Sequence, residues 1–335
     1  MGGGKTLLLP LLDALANASD VIFILDERLQ LPEGFHFEGK VYRVKATVIS
    51  RLWFEWSLRS LLSPEMLLLS MGNLPPFFAH NGEQYVFVQN RYLIDLLPLD
   101  GFSWEERLRI IVERWWLKSR AKYVTSFIVQ TDTMRGLLRR SLKKNAVVLP
   151  FAGVVEAPQI ERPFQREYRY DYIYVASGEP HKNHKKLIEA WIDLAEMEAF
   201  PSLCLTLKAE RFPELCAWIE SAIKKYSLKI FVVGEHSHKE TMSLYSVSKA
   251  LIYPSLLESF GLPLIESTML GLPVLASNSD YVWDVVVPSD TFDPVNAQSI
   301  ANAVFNFSFR RSTLRVNLLT SRVFLRQSIN QRESI

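Results

Sequence analysis

Short runs of β-branched and aromatic residues alternate along the chain with stretches in which apolar positions recur every three or four residues. VIFIL from Val21, KVYRVKA from Lys40, EMLLLS from Glu65, YVFVQ from Tyr85, SFIVQT from Ser126 and AVVLPF from Ala146 have the length and composition of strands. Helical periods lie between them, including residues 103–122 and 133–142. After AVVLPF the pattern stops. The segment VVEAPQIERPFQREYRYD is rich in Pro, Gln, Glu and Arg and has no period, which predicts a linker over 156–170. The pattern then restarts with DYIYVAS from Asp171, SLCLTLK from Ser202, KIFVVGE from Lys229, ALIYPS from Ala250 and PVLASN from Pro273. Helices are predicted over 184–197, 212–226, 239–248 and 262–270. Alternating strands and helices make parallel sheets covered on both faces. The expected fold is therefore α/β, with one doubly wound domain over 1–155 and a second over 171–335. Ligands of open α/β sheets sit outside the carboxyl ends of the strands, so two such domains facing a cleft predict a site between them.

Composition narrows the class. A chain of 335 residues suits two cores, and 48% hydrophobic with 22% charged residues is a globular balance. Lys and Arg number 38 against 36 acidic residues, so no strong field argues for nucleic acid. Basic residues gather locally, in RRSLKK, over 107–122 and from Phe309. Cys204 and Cys216 are too few for a disulfide framework and read as reduced thiols of a cytoplasmic protein. TLLLPLLDALANA is too short to span a bilayer, is broken by Pro10 and Asp13, and lacks signal-peptide flanks. ERLRIIVERWWLKSRAKY sets Trp115 and Trp116 beside cations. Core packing is one use of that helix and a membrane-surface face the other, and SRLWFEWSLRSLL reads the same two ways. The expected location is cytoplasmic, with peripheral contact to the inner face of the cell membrane as the second use.

The opening MGGGKTLLLPLLDAL ends a phosphate-loop motif, but the first glycine of that motif would precede Met1, and no Walker-B strand stands out downstream. An NTPase reading is set aside. YPSLLESFGLPLIESTMLGLPVLAS carries more chemistry. A strand ends at Ser255, a loop holds Glu258, and a helix begins near Gly261 and carries Glu266. Backbone N–H groups at such a helix start attract phosphate, with Gly261 allowing close approach. Glu266 suits ribose hydroxyls and Glu258 suits a hexose.

ESFGLPLIE resembles the E-x7-E signature of retaining GT-B glycosyltransferases of the large group-one family, and GLPVLAS resembles the strand that follows it. YVASGEPHKNHKKLIEAW resembles the family's strand–loop–helix with the Lys-Asn pair, here Lys182 and Asn183, that contacts donor phosphates. KIFVVGEHSHKETMSLYSVSKALIYPS resembles the segment between the two, with Gly234 and Glu235 at its strand end. FVQNRYLI and FIVQTDTM look like strand ends of bacterial polysaccharide members. The resemblance implies two Rossmann-like domains and transfer of a hexose from a nucleotide-diphosphate sugar to a cell-envelope glycan or lipid-linked glycan. MGGGKTLLLPLLDAL resembles the family's glycine turn and following helix, with Gly3 and Gly4 at the substrate and the preceding strand absent. A first domain without its first strand is the expectation, with truncation at either end in view.

No D-x-D pair for a divalent ion occurs, and neither metal nor cofactor is expected. The resemblance implies that Lys182 and the helix start at Ser259, Phe260 and Gly261 neutralise the leaving diphosphate, and that Glu258 orients the sugar and favours the oxocarbenium-like state. Two departures stand out. Glu179 falls where many members carry Arg, and Gln89-Asn90-Arg91 replaces a His. Plainer uses remain beside these: Glu258 and Glu266 as solvated caps, Lys182 in a basic helix start, and Gln89 and Asn90 as strand caps. His181, His184, His236 and His238 lie in two loops but lack the Cys or carboxylate pattern of a zinc site. A catalytically silent or truncated protein that binds a nucleotide sugar is the alternative to the enzyme.

Overall fold

The computed structural model describes residues 3–153 and 168–329; Met1, Gly2 and residues 156–167 of the expected linker lie outside them. The chain forms two units. The first runs α1 (Gly3–Leu15), β1 (Ile22–Asp26), β2 (Lys40–Val44), α2 (Val48–Leu61), β3 (Leu67–Ser70), β4 (Glu83–Phe87), α3 (Trp104–Arg120), β5 (Ser126–Val129), α4 (Asp132–Leu142) and β6 (Ala146–Val148). The second runs β7 (Tyr170–Tyr174), α5 (His184–Glu196), β8 (Leu203–Leu205), α6 (Pro213–Tyr226), β9 (Ile230–Val232), α7 (His238–Ser246), β10 (Ser248–Tyr253), α8 (Leu262–Met269) and β11 (Val274–Ser277). It continues through α9 (Asp280–Val285), β12 (Val286–Val287), β13 (Asp290–Phe292), α10 (Ala297–Phe305) and β14 (Thr313–Leu314). The last helix, α11 (Ser321–Ile329), packs on α1 and belongs to the first unit, although the sequence pattern assigns it to the second. Residues 100–102 cluster with the second unit.

The second unit is built on a parallel sheet in the order β9-β8-β7-β10-β11-β13, and β12 and β14 form a separate antiparallel pair. Counted from β7, that is the doubly wound 3-2-1-4-5-6 arrangement, with its switch point between β7 and β10. Its four central strands are largely apolar and mostly buried, as a sheet covered by helices requires.

The strands of the first unit are parallel as well. Its strands fall into two parallel sheets, β1-β2 and β3-β4-β5-β6. In the doubly wound order the strand that opens the domain lies between these pairs, and no strand precedes α1 among the described residues. Leu12, Phe23, Leu25 and Leu29 form one cluster, while Val86, Leu117, Phe127, Val129 and Leu138 anchor another. Leu67, Leu68 and Leu69 of β3 are only half-buried, whereas β4 beside it is buried almost throughout. An apolar strand with one unpaired side is expected to open locally more often than one paired on both. Amides of β1 and β3 should therefore exchange with solvent at least about tenfold faster than those of β4 and β5, read by hydrogen–deuterium exchange. Equal protection would contradict the split sheet.

Gly3 and Gly4 do not form a turn but open α1, and a Cβ on Gly4 would meet nothing within 4 Å. The apolar period of TLLLPLLDAL runs back through both of them. Pro10 lies inside this helix. Its fixed φ suits a helix, but its ring and missing N–H weaken the turn before it.

Candidate functional site

Strands β7 and β10 are hydrogen-bonded neighbours running in one direction, with Ala250 beside Tyr172 and Leu251 beside Ile173. The loops leaving their carboxyl ends therefore meet, although 76 residues separate Lys182 from Glu258. Leu256 N–H donates to His181 O at 2.8 Å, joining the two loops through the backbone. Asn183 takes a left-handed φ of 61° and donates its amide to Pro254 O at 3.1 Å and Pro294 O at 2.7 Å. Its side chain is thus engaged in holding loops rather than presented to a phosphate. Tyr174 O–H donates to Lys182 O at 2.7 Å and lies 3.0 Å from Ser255 Oγ, while Tyr281 O–H donates to Ser255 O at 2.6 Å. Burial pushes the Tyr174 phenol well above its ordinary range, so it stays a neutral donor.

Between these clamps, Lys182 Nζ donates to Glu258 Oε1 at 2.6 Å, and Tyr253 O–H donates to the same oxygen at 2.8 Å. The pair is nearly closed to water, with side-chain exposures of 15% and 12%. Burial pushes the Glu258 carboxyl up. The positive charge of Lys182, with His181 and the hydrogen bonds from Lys182 and Ser255, outweighs burial and holds it below the usual carboxylate range.

Gly261 caps α8 with φ 75° and ψ 59°, a left-handed conformation that costs an L side chain about 1–2 kcal/mol. A Cβ there would also stand 3.0 Å from Leu264 Cδ1. Ser259 lies in the loop before it, but Phe260 is buried and packs in the core, so only its backbone remains for a ligand. Glu266, in the second turn of α8, is buried and accepts from Tyr245 O–H at 3.2 Å; His238 Nδ1 lies 3.5 Å away. Burial pushes its carboxyl up to about 7, against the lowering effect of Tyr245.

Other predicted residues stand apart from this group. Gly234 has φ 87° with open space where a Cβ would lie, and the exposed Glu235 pairs with Lys208 at 3.3 Å. Gln89 and Asn90 belong to the first unit, where Asn90 Oδ1 accepts from Tyr92 N–H and caps the 3-10 turn Arg91–Leu93. Glu179, standing where an Arg was expected, accepts from Ser177 and pairs with Arg211 at 2.9 Å. Arg211 comes from the loop after β8, so a cation lies beside that position after all. Gly178 is held by close packing, since a Cβ there would come within 2.5 Å of the Phe212 ring. His184 is buried against Tyr174, and burial pushes it down to about 3. Among the described residues, no group of three or more His, Cys, Asp or Glu side chains is placed to hold a metal ion. Burial pushes the Cys204 thiol up to about 12, which makes it an unreactive core residue. The tyrosines 174, 245, 253 and 281 were not singled out from sequence, because in strands and helices they read as core aromatics.

Residues 157–308 match the family model for glycosyl transferases group 1. Over 134 residues the chain is 28% identical to the O-antigen chain mannosyltransferase B of Escherichia coli, covering 39% of this chain and 34% of that protein. The chain thus spans about a third of the length of that curated relative. The fold is that of GT-B glycosyltransferases. The Anabaena protein Alr3699/HepE, solved in complex with UDP and glucose, superposes with a TM-score of 0.61 at 14% identity, over 90% of this chain and 85% of that one. Trehalose-6-phosphate synthase, solved in a study of glycosyl transfer with retention, superposes with a TM-score of 0.62 at 12% identity, over 90% and 88%.

Proposed function

We propose that the chain is a glycosyltransferase that moves a hexose from a nucleotide-diphosphate sugar to a cell-envelope polysaccharide or oligosaccharide, with retention and without a metal. The observation that carries this reading is the Lys182–Glu258 pair at the switch point of the second sheet, with Glu266 on the helix that follows. The donor's ribose would bond to Glu266, its diphosphate would lie between Lys182 and the start of α8, and its hexose would reach Glu258. Mannose is the favoured sugar, by analogy with the O-antigen relative's name.

As the anomeric bond breaks, negative charge grows on the diphosphate and positive charge on the sugar carbon. Lys182 and the N–H groups around Gly261 face the first, and a fixed carboxylate at Glu258 faces the second. In the free protein these two charges satisfy one another. An arriving diphosphate takes the ammonium, and Glu258, still held by Tyr253, is released to accept from a sugar hydroxyl. The departing phosphate oxygen serves as base for the acceptor hydroxyl, on the same face that the leaving group vacates. That gives retention.

The test is a thermal-shift titration with UDP, GDP, ADP, CMP and ATP. A ligand at a hundred times its dissociation constant stabilises the native state by about 2.7 kcal/mol. One nucleoside diphosphate should stand out, and Glu266→Ala should weaken it about 10- to 100-fold through loss of charge-assisted hydrogen bonds. A flat response to all five would count against the donor site. A silent nucleotide-sugar-binding protein is the second reading, favoured by the divided first sheet.

A further inference from the structure

Helix α3 is built the wrong way round for a helix that faces only water. Its inner face carries Ile110 and Leu117, both buried, while Trp104, Leu108, Ile111 and Trp115 recur at helical spacing on the opposite side. These four are 72%, 53%, 54% and 59% exposed. Helix α2 repeats the pattern, with Ile49, Trp53 and Trp56 forming an outward stripe at 82%, 73% and 57% exposure. The helices are neighbours in the first unit, since the Arg51 guanidinium lies over the Trp116 ring, 4.7 Å from its centre. Each stripe is a regular row of large exposed apolar side chains, unlike apolar residues scattered singly over a surface.

Cations border it. Arg107, Lys118 and Lys122 share the outer side of α3 and the turn after it, and the Arg59 guanidinium lies over the Trp56 ring. From residue 103 to 123 there are six Lys and Arg against three Glu. Among the described residues, no helix is long and apolar enough to cross a membrane. Tryptophans and aliphatics on one side with Lys and Arg beside them suit a helix lying in the headgroup layer, where the rings bury and the cations meet anionic lipid.

We infer that α2 and α3 form a docking surface for an anionic lipid bilayer. A second protein would be met equally well by the apolar residues, but the cationic border favours a surface of phosphate headgroups. The inference stands on different residues from the donor site, and the two can fail separately.

The test is co-sedimentation of the full chain with phosphatidylglycerol vesicles and with phosphatidylcholine vesicles, alongside tryptophan emission. The expected result is binding to the first and not the second, with a blue shift, weakening between 0.1 and 0.5 M salt. Trp104→Ser with Trp115→Ser should lower the partition coefficient about tenfold or more. Because both rings are exposed, the variant should keep its melting temperature and its response to nucleotide. Arg107→Gln with Lys118→Gln should weaken binding to anionic vesicles while leaving the emission of the free protein unchanged. Absence of vesicle binding by the native chain would overturn the inference. So would a dimer in sedimentation velocity that the tryptophan substitutions dissociate, because the face would then join two copies.

Discussion

Lys182→Ala is expected to lower stability by about 3–5 kcal/mol and turnover by at least about a hundredfold, because one substitution removes two different things. The first is the counter-charge of a buried carboxylate. Glu258 lies 2.6 Å from Lys182 and is 12% exposed, so without the ammonium it must protonate or stay charged in a poor dielectric. The second is the cation that would neutralise the leaving diphosphate. The pair can be separated from the chemistry by a double substitution. Lys182→Met with Glu258→Gln leaves no buried charge and should recover most of the lost stability, yet it should not recover turnover. Chemical denaturation and a transfer assay on the same samples read the two effects. Recovery of both would mean that the pair is a structural ion pair and nothing more. The pH dependence has a definite direction. The carboxyl is held below its ordinary value in the fold, so its contribution to stability is complete above about 4.5 and is lost as pH falls through the folded value.

Glu266 gives the second large effect, and its sign is opposite. Burial raises this carboxyl to about 7, so the native state favours its neutral form. That contribution to stability is complete below about 4.5 and disappears as pH rises through 7. Nucleotide binding needs the other form, because a carboxylate accepts bonds from two ribose hydroxyls and a carboxylic acid donates one of its own. Between pH 6 and 8 the ionised fraction climbs through most of its range, so nucleoside diphosphate affinity should rise about tenfold. Glu266→Gln keeps an accepting oxygen and the contact with Tyr245 but does not titrate, so its affinity should be weaker and flat over the same interval. Calorimetric titration at several pH values checks this. A native chain whose affinity does not change with pH would place the ribose elsewhere.

Strand positions and the α/β class were open to reading because both follow from local pattern. VIFIL and DYIYVAS declare themselves by composition, and they fall at β1 and β7. The motif around Glu258 and Glu266 was legible because its spacing sets a loop carboxylate and a helix carboxylate about a turn on either side of Gly261. What depends on a distant partner was not legible. Asn183 has the right type for a phosphate contact, but its amide is taken by the carbonyls of Pro254 and Pro294, 71 and 111 residues away. Phe260 stands inside the motif yet is 3% exposed, as only the fold reveals. Asn90 illustrates a local choice the other way, since its side chain satisfies an orphan N–H of the turn that follows it. Gly3 and Gly4 were expected in a turn and instead open α1, because the helical period that follows extends back through both.

The central claim is that Lys182 and Glu258 act on a bound nucleotide sugar. The most direct measurement is release of nucleoside diphosphate from the nucleotide sugar whose base the titration selects, compared between the native chain and Glu258→Gln. The expected result is steady release by the native chain, and equal nucleoside diphosphate affinity with release slowed at least about a hundredfold in the variant. Equal release rates in both would contradict a role for Glu258. Binding without release by the native chain would make it a silent nucleotide-sugar-binding protein.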